Sequence, residues 1–313
     1  MLKLISNYKI MRIIFMSTSE FGCKILNNLI NSNHEIIAIY TKKPTKSGRG
    51  LRLNKSPIYK IGHDNNIKVI TPENFKNRND IDYIKSLNAD IIIVVSYGLI
   101  LPEEILNAAK FGSINIHPSI LPKYRGAAPI QRSLLNGDNK SAMTIIKMDK
   151  NLDSGDIIYQ ENINISKEDD FVTISNKMSD LAIKLTNKTL ANINNIKYKE
   201  QNHDLATYAH KISKQECRIY FNQPANVIYN KIRALYGNLG AYIIYDDIII
   251  KIHKAEIIND NSNAKPGTII DKYFTIKCSD YAIRPLIIQK SGKKATSITD
   301  FILGFKPVIN KII

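Results

Sequence analysis

This chain has no tryptophan, few acidic residues and only three cysteines. Cys23, Cys217 and Cys278 are odd in number and far apart, which argues against a disulfide framework and fits a reducing cytoplasm. The cysteines show no paired spacing and the histidines are scattered, so no metal site is expected. No apolar run reaches the roughly 20 residues of a membrane-spanning helix, and no membrane partner is expected. The first ten residues are too short for a signal peptide and read as an N-terminal extension before Met11. A G-x-G-x-x-G turn is also missing. Ser17-Thr18-Ser19 occupies the first strand-to-helix connection, which argues against a dinucleotide cofactor.

What the chain has in excess is positive charge. Lys and Arg number 44 against 28 Asp and Glu, a formal net charge of +16. Such an excess fits either a polyanionic partner or a solvated basic face. Its distribution is uneven: residues 205–313 carry a net +8, while the remaining +8 is spread over 204 residues.

A length of 313 residues favours two domains. Apolar runs at 12–15, 36–40, 67–70 and 91–95 read as buried strands. Helical stretches separate them, including one to Leu29 capped by Thr18-Ser19, one at 80–87 and one at 103–110. Continuous apolar strands alternating with helices predict a Rossmann-like α/β domain with a mostly parallel sheet, over 11–193. That domain ends in a helix at 173–193, and the polar stretch that follows makes 194–212 a linker. Residues 213–313 contain an amphipathic helix at 224–235 and then short strands between turns, which predict a small OB-like β-barrel.

The most informative segment is SINIHPSILPKYRGAAPIQ, from Ser113 to Gln131. Asn115 and His117 alternate with Ile114 and Ile116, so the polar pair shares one face of a strand. Pro118 cannot donate to a sheet ladder and stops the strand there. A second cluster, Met148 to Asp156, places Asp153 among Asn, Asp, Ser and Gly, the chemistry of a turn. An amide, an imidazole and a carboxylate are the types that acyl transfer to an amine requires. Two can donate to a developing oxyanion, and the third can take the proton of the amine.

Together, HPSILPKYRGAAPI and the downstream LDSGDI resemble the folate-dependent formyltransferase family. The resemblance runs from about Met11 to the C-terminal end. It implies that Asn115, His117 and Asp153 are catalytic, that Ser119, Ile120, Leu121 and Pro122 line the folate pocket, and that the co-substrate is 10-formyltetrahydrofolate. Between Thr41 and Lys60 lies a basic segment with Gly48-Arg49-Gly50. In the branch of the family that formylates charged tRNA, an insertion here contacts the acceptor end. Arg49, with Lys46 and Arg52 beside it, is the expected tRNA contact. The implied acceptor is methionine on initiator tRNA, handled by a monomer. A small acceptor such as glycinamide ribonucleotide or an amino sugar, water, and a non-catalytic RNA-binding relative are the alternatives. Most relatives carry Asp-Trp where this chain has Ile219-Tyr220, or one position away, so Tyr220 is expected to take the aromatic role.

Overall fold

The computed structural model describes residues 10–47 and 52–313. The expected extension over residues 1–10 lies almost wholly outside them. The chain divides into two units, one formed by residues up to 127 with 141–163 and 176–208, the other by 128–140, 164–175 and 209–313.

In chain order the strands are β1 (Arg12–Ser17), β2 (Glu35–Tyr40), β3 (Thr45–Ser47), β4 (Arg52–Asn54), β5 (Val69–Ile70), β6 (Ile91–Val95), β7 (Ser113–His117), β8 (Lys140–Lys147) and β9 (Ile157–Asn164). Seven of them form one sheet in the order β5-β2-β1-β6-β7-β8-β9. Its first five strands run parallel, and β8 is antiparallel to β7. Every residue of β6, Ile-Ile-Ile-Val-Val, is buried, and so is all of β1 except Arg12, as expected of strands covered on both faces. The strand order reverses between β1 and β6, and open α/β sheets bind ligands beyond the strand ends at such a reversal. β7, the next strand along, ends at His117.

Several local expectations change. Thr18 and Ser19 do not cap the first helix, Phe21–Ile30, which starts without a side-chain cap. The Thr18 hydroxyl instead donates to the Tyr97 carbonyl at 2.9 Å, tying the end of β1 to the turn after β6. The helix expected over 103–110 is only Glu103–Leu106, because Lys110 and Phe111 turn away to donate to the carbonyls of Ala89 and Asp90. The basic segment between Thr41 and Lys60 contains the antiparallel pair β3–β4 and the start of the helix Pro57–Asp64. Ser56 starts that helix by accepting from the Tyr59 N–H at 3.0 Å, with Pro57 at its first position.

In the second unit, the helices Pro129–Leu135 and Ala225–Leu235 join an antiparallel sheet around one apolar core. Ile228, Ile232 and Leu235 are the inward face of the longer helix. The strands are β10 (Ala241–Tyr245), β11 (Ile248–Ile258), β12 (Ile276–Lys277), β13 (Ala282–Lys290) and β14 (Thr296–Ser297). Their order is β10-β11-β13-β12, with β14 also on β13. Asp246 and Asp247, both left-handed, make the two-residue turn between β10 and β11, because that geometry matches strand twist. Register shifts from Ile252 to Ala255 bend β11, giving a curled half-barrel. Among the apolar stretches of this unit, Gly267 to Asp271 contributes only isolated bridges, Thr268 with Ile312 and Ile269 with Ile276.

The aromatic that fills the core near the start of this unit is Phe221, not Tyr220. Tyr220 is 52% exposed, with the Arg218 guanidinium 5.0 Å from its ring centre.

Candidate active site

The alternation of β7 has the consequence anticipated for it. Asn115 and His117 share a face, and both meet Asp153 there. Asn115 Nδ2 donates to Asp153 Oδ1 at 2.9 Å, and His117 Nδ1 lies 3.5 Å from Asp153 Oδ2. His117 is 3% exposed. Its Nε2 is 2.9 Å from the Tyr124 carbonyl, and because a carbonyl only accepts, the proton in that contact belongs to Nε2. Both ring nitrogens thus face oxygen atoms, Nε2 that of Tyr124 and Nδ1 that of Asp153.

Asp153 reaches this face because the loop after β8 is closed tightly. Lys147 donates its N–H to Asp156 O, and Met148 donates to Ser113 O, each at 2.9 Å. Ser154 Oγ donates to the Asp149 carboxylate at 2.8 Å. Gly155 is required by space, since a Cβ there would sit 1.8 Å from the Lys147 carbonyl oxygen. Asp153 itself has φ of 49°, a left-handed conformation that Asp tolerates better than most residues.

Opposite this loop stands the turn Tyr124-Arg125-Gly126. The Gly126 N–H donates to Asp153 Oδ2 at 2.8 Å, from a backbone with φ of 117° that favours glycine. Two donors therefore converge on the Asp153 carboxylate, an amide and a backbone N–H, and the imidazole faces it at 3.5 Å. Arg125 is buried and donates to Gln201 Oε1 and to His203 Nδ1. Arg125 and Gly126 lay within the motif that carried the family resemblance, but nothing in the string distinguished their roles. Gln201 and His203 had no local signal at all, because they sit in the polar stretch 194–204.

The four residues expected around folate divide by alternate position. The Ser119 hydroxyl is buried and donates to Lys123 O at 2.8 Å, while Ser119 O accepts from Thr144 Oγ1 at 2.6 Å. Leu121 packs into a small cluster with Ile146 and Ile157, and its carbonyl accepts from Gln160 Nε2 at 3.0 Å. Ile120 and Pro122 remain half-buried. Of the expected tRNA contacts, Arg49 lies outside the described residues. Lys46 and Arg52 are on the β3–β4 hairpin, where Lys46 pairs with Leu53 and Arg52 with Ser47.

The thiols are poor nucleophiles. Burial pushes Cys278 up to about 12 and Cys23 up to about 11, far from the range in which a thiolate forms readily. Among the described residues no group of His, Cys, Asp and Glu is arranged to hold a metal ion.

Residues 11–190 match the formyl transferase family, and residues 211–306 match the formyl transferase C-terminal domain. The chain is 42% identical over 303 residues to the methionyl-tRNA formyltransferase of Rickettsia bellii, covering 96% of this chain and 100% of that one. It is 44% identical over 299 residues to the methionyl-tRNA formyltransferase of Ehrlichia canis, covering 94% and 97%. Among solved structures it resembles HypX from Aquifex aeolicus in complex with tetrahydrofolic acid, with a TM-score of 0.65 at 14% identity, over 94% of this chain and 47% of HypX. That last likeness is one of fold. Matched through both of its domains and along nearly the full length of these relatives, the chain belongs to the methionyl-tRNA formyltransferase family.

Proposed function

We propose that this enzyme moves the formyl group of 10-formyltetrahydrofolate to the amino group of methionine on initiator tRNA, and that Asn115, His117 and Asp153 carry the chemistry. The observation that supports this most directly is the meeting of the three side chains at the end of β7, with Asn115 and Asp153 2.9 Å apart. Bound folate would supply an activated formyl carbon. The protein must place the amine against it, stabilise negative charge on the formyl oxygen and remove one proton. Asn115 gives one amide N–H to Asp153 and has a second to offer. His117, held between Asp153 and the Tyr124 carbonyl, contributes as a buried hydrogen-bonding group. Asp153 orients both and accepts the amine proton, directly or through one water.

Apolar surface in the segments that follow β6 and β7 supports the folate reading. Val94 is registered with Asn115, so the segment following β6 leaves the sheet beside His117. It carries Ile100, which is 92% exposed, and Ile120 and Pro122 are half-buried. The apolar side chains of Ile120 and Pro122, close after His117 in the chain, fit a flat ring better than they fit a small charged metabolite. For the acceptor, the support is the basic segment with Arg49, the basic residues of 205–313 and the naming of the relatives. Free thiols at Cys23, Cys217 and Cys278 suit action in the cytoplasm, here by a monomer.

Formyl transfer measured side by side with charged initiator tRNA, glycinamide ribonucleotide, an amino-sugar nucleotide and water tests this reading. Turnover confined to charged tRNA is the expected result, and preference for a small acceptor would overturn it.

A further inference from the structure

Gln201 is 4% exposed, and both ends of its amide are fully used. Its Nε2 donates to Asp153 O at 2.9 Å and to Gly155 O at 2.7 Å. Its Oε1 accepts from Arg125 Nη2 at 2.8 Å and from Arg125 Nε at 3.3 Å. A carboxamide is the neutral side-chain group that offers two donors on one atom and two lone pairs on another, and here all four are spoken for. The two segments it joins are 46 to 76 residues away in the sequence.

We infer that Gln201 is a positioning residue for Asp153, an inference that rests on the reading of Asp153 as catalytic. The backbone of Asp153 is left-handed, and the Asp153 and Gly155 carbonyls are pinned by one side chain. The same side chain holds Arg125, which lies between Tyr124 and Gly126. Tyr124 supplies the carbonyl that accepts a hydrogen bond from His117 Nε2, and Gly126 supplies the N–H that holds Asp153 Oδ2. Gln201 therefore clamps both walls of the site. It acts through the main chain on either side, setting the distance between His117 and Asp153. Displacement of catalytic groups by about 1 Å is enough to cost on the order of 10²-fold in rate.

Two substitutions separate this role from simple packing. Gln201→Glu keeps the size and can still accept from Arg125, but has no donor for the Asp153 and Gly155 carbonyls. Gln201→Met keeps the volume and removes every polar contact. Each is expected to lower kcat by about 10- to 100-fold while KM for both substrates stays within about 3-fold. The pH profile of kcat should shift in both, because the His117–Asp153 contact is loosened, whereas a structural defect would only reduce the amount of active enzyme. Folate-binding stoichiometry measures that amount, and Gln201→Glu decides the question where Gln201→Met folds poorly.

The double variant with Asp153→Asn distinguishes the inference from its premise. A residue that works through Asp153 has little left to lose once Asp153 is gone, so Gln201→Glu should lower kcat by less than about 2-fold in that background. A wild-type kcat in Gln201→Glu, or a full further drop on top of Asp153→Asn, overturns the positioning role and leaves Asp153 catalytic. A wild-type kcat in Asp153→Asn alone removes the catalytic reading itself, and the positioning role with it.

Discussion

Asn115 and Asp153 are 38 residues apart in the chain, yet the amide of one donates to the carboxylate of the other at 2.9 Å. The contact exists because β7 ends where the loop after β8 folds back across it. Lys147 and Met148 close that loop by backbone bonds to Asp156 and Ser113. The other Asp153 oxygen is held by Gly126 and faced by His117, so neighbouring groups set the carboxylate from three directions.

His117→Ala should lower kcat by about 10²–10³-fold, the typical cost of losing one oxyanion donor, with folate affinity nearly unchanged. Thermal stability should fall as well, since the buried Tyr124 carbonyl loses its donor. Steady-state kinetics with folate binding measured alongside checks this, and a kcat within tenfold of wild type would take His117 out of the chemistry.

Gly155→Ala tests the loop that carries Asp153. A Cβ would meet the Lys147 carbonyl oxygen at 1.8 Å, and backbone cannot give way as a flexible side chain can. The expected destabilisation is roughly 1–3 kcal/mol, and kcat should fall more than KM changes because Asp153 moves with its neighbour. Thermal unfolding and kinetics report the two effects, and a variant with wild-type values in both would show that the loop relaxes freely.

Arg49→Ala tests the acceptor. Loss of one charged contact costs about 1.5–3 kcal/mol, so kcat/KM for methionyl-tRNA should fall by about one to two orders of magnitude, with folate affinity unchanged. Arg49→Lys should rescue it only in part, because an ammonium lacks the guanidinium fork. Wild-type kcat/KM in Arg49→Ala at physiological salt would mean that this loop is a solvated basic segment.

Glu216 gives a pH-dependent prediction in the second unit. Its hydrogen bond from Arg132, 2.7 Å long, and those from Ser213 hold its carboxyl at about 2, below the ordinary value of 4.5. A group with a lowered native pKa stabilises the fold above its unfolded pKa, and that contribution is lost as pH falls through the native one. The stability difference between wild type and Glu216→Gln should therefore be full at pH 7, roughly 0.5–1 kcal/mol for so exposed a pair, and shrink between about pH 5 and pH 2. Denaturant unfolding at the two ends of that range measures it. A difference that holds constant with pH would show that the Arg132 contact contributes nothing.

Local chemistry was legible in the sequence wherever neighbours along the chain decide it. Unbroken apolar runs specified β1 and β6, alternation specified the shared face of Asn115 and His117, and the Asn/Asp/Ser/Gly cluster specified a turn at Asp153. Local signals also misled where tertiary bonds outcompeted them. Thr18 spends its hydroxyl on Tyr97 instead of a helix cap, and Lys110 leaves the predicted helix, pairing with Ala89 as Phe111 pairs with Asp90. The burial of Phe221, with Tyr220 exposed, was decided by packing within the second unit's core. Gln201 marks the limit most clearly. Its string of polar neighbours reads as a connection, because nothing within ten residues of it shows that Arg125 and the Asp153 loop are waiting as partners. Hydrogen bonds across 46 to 76 residues depend on where folding brings the chain, so only the tertiary structure could turn that glutamine from a solvated side chain into part of the site.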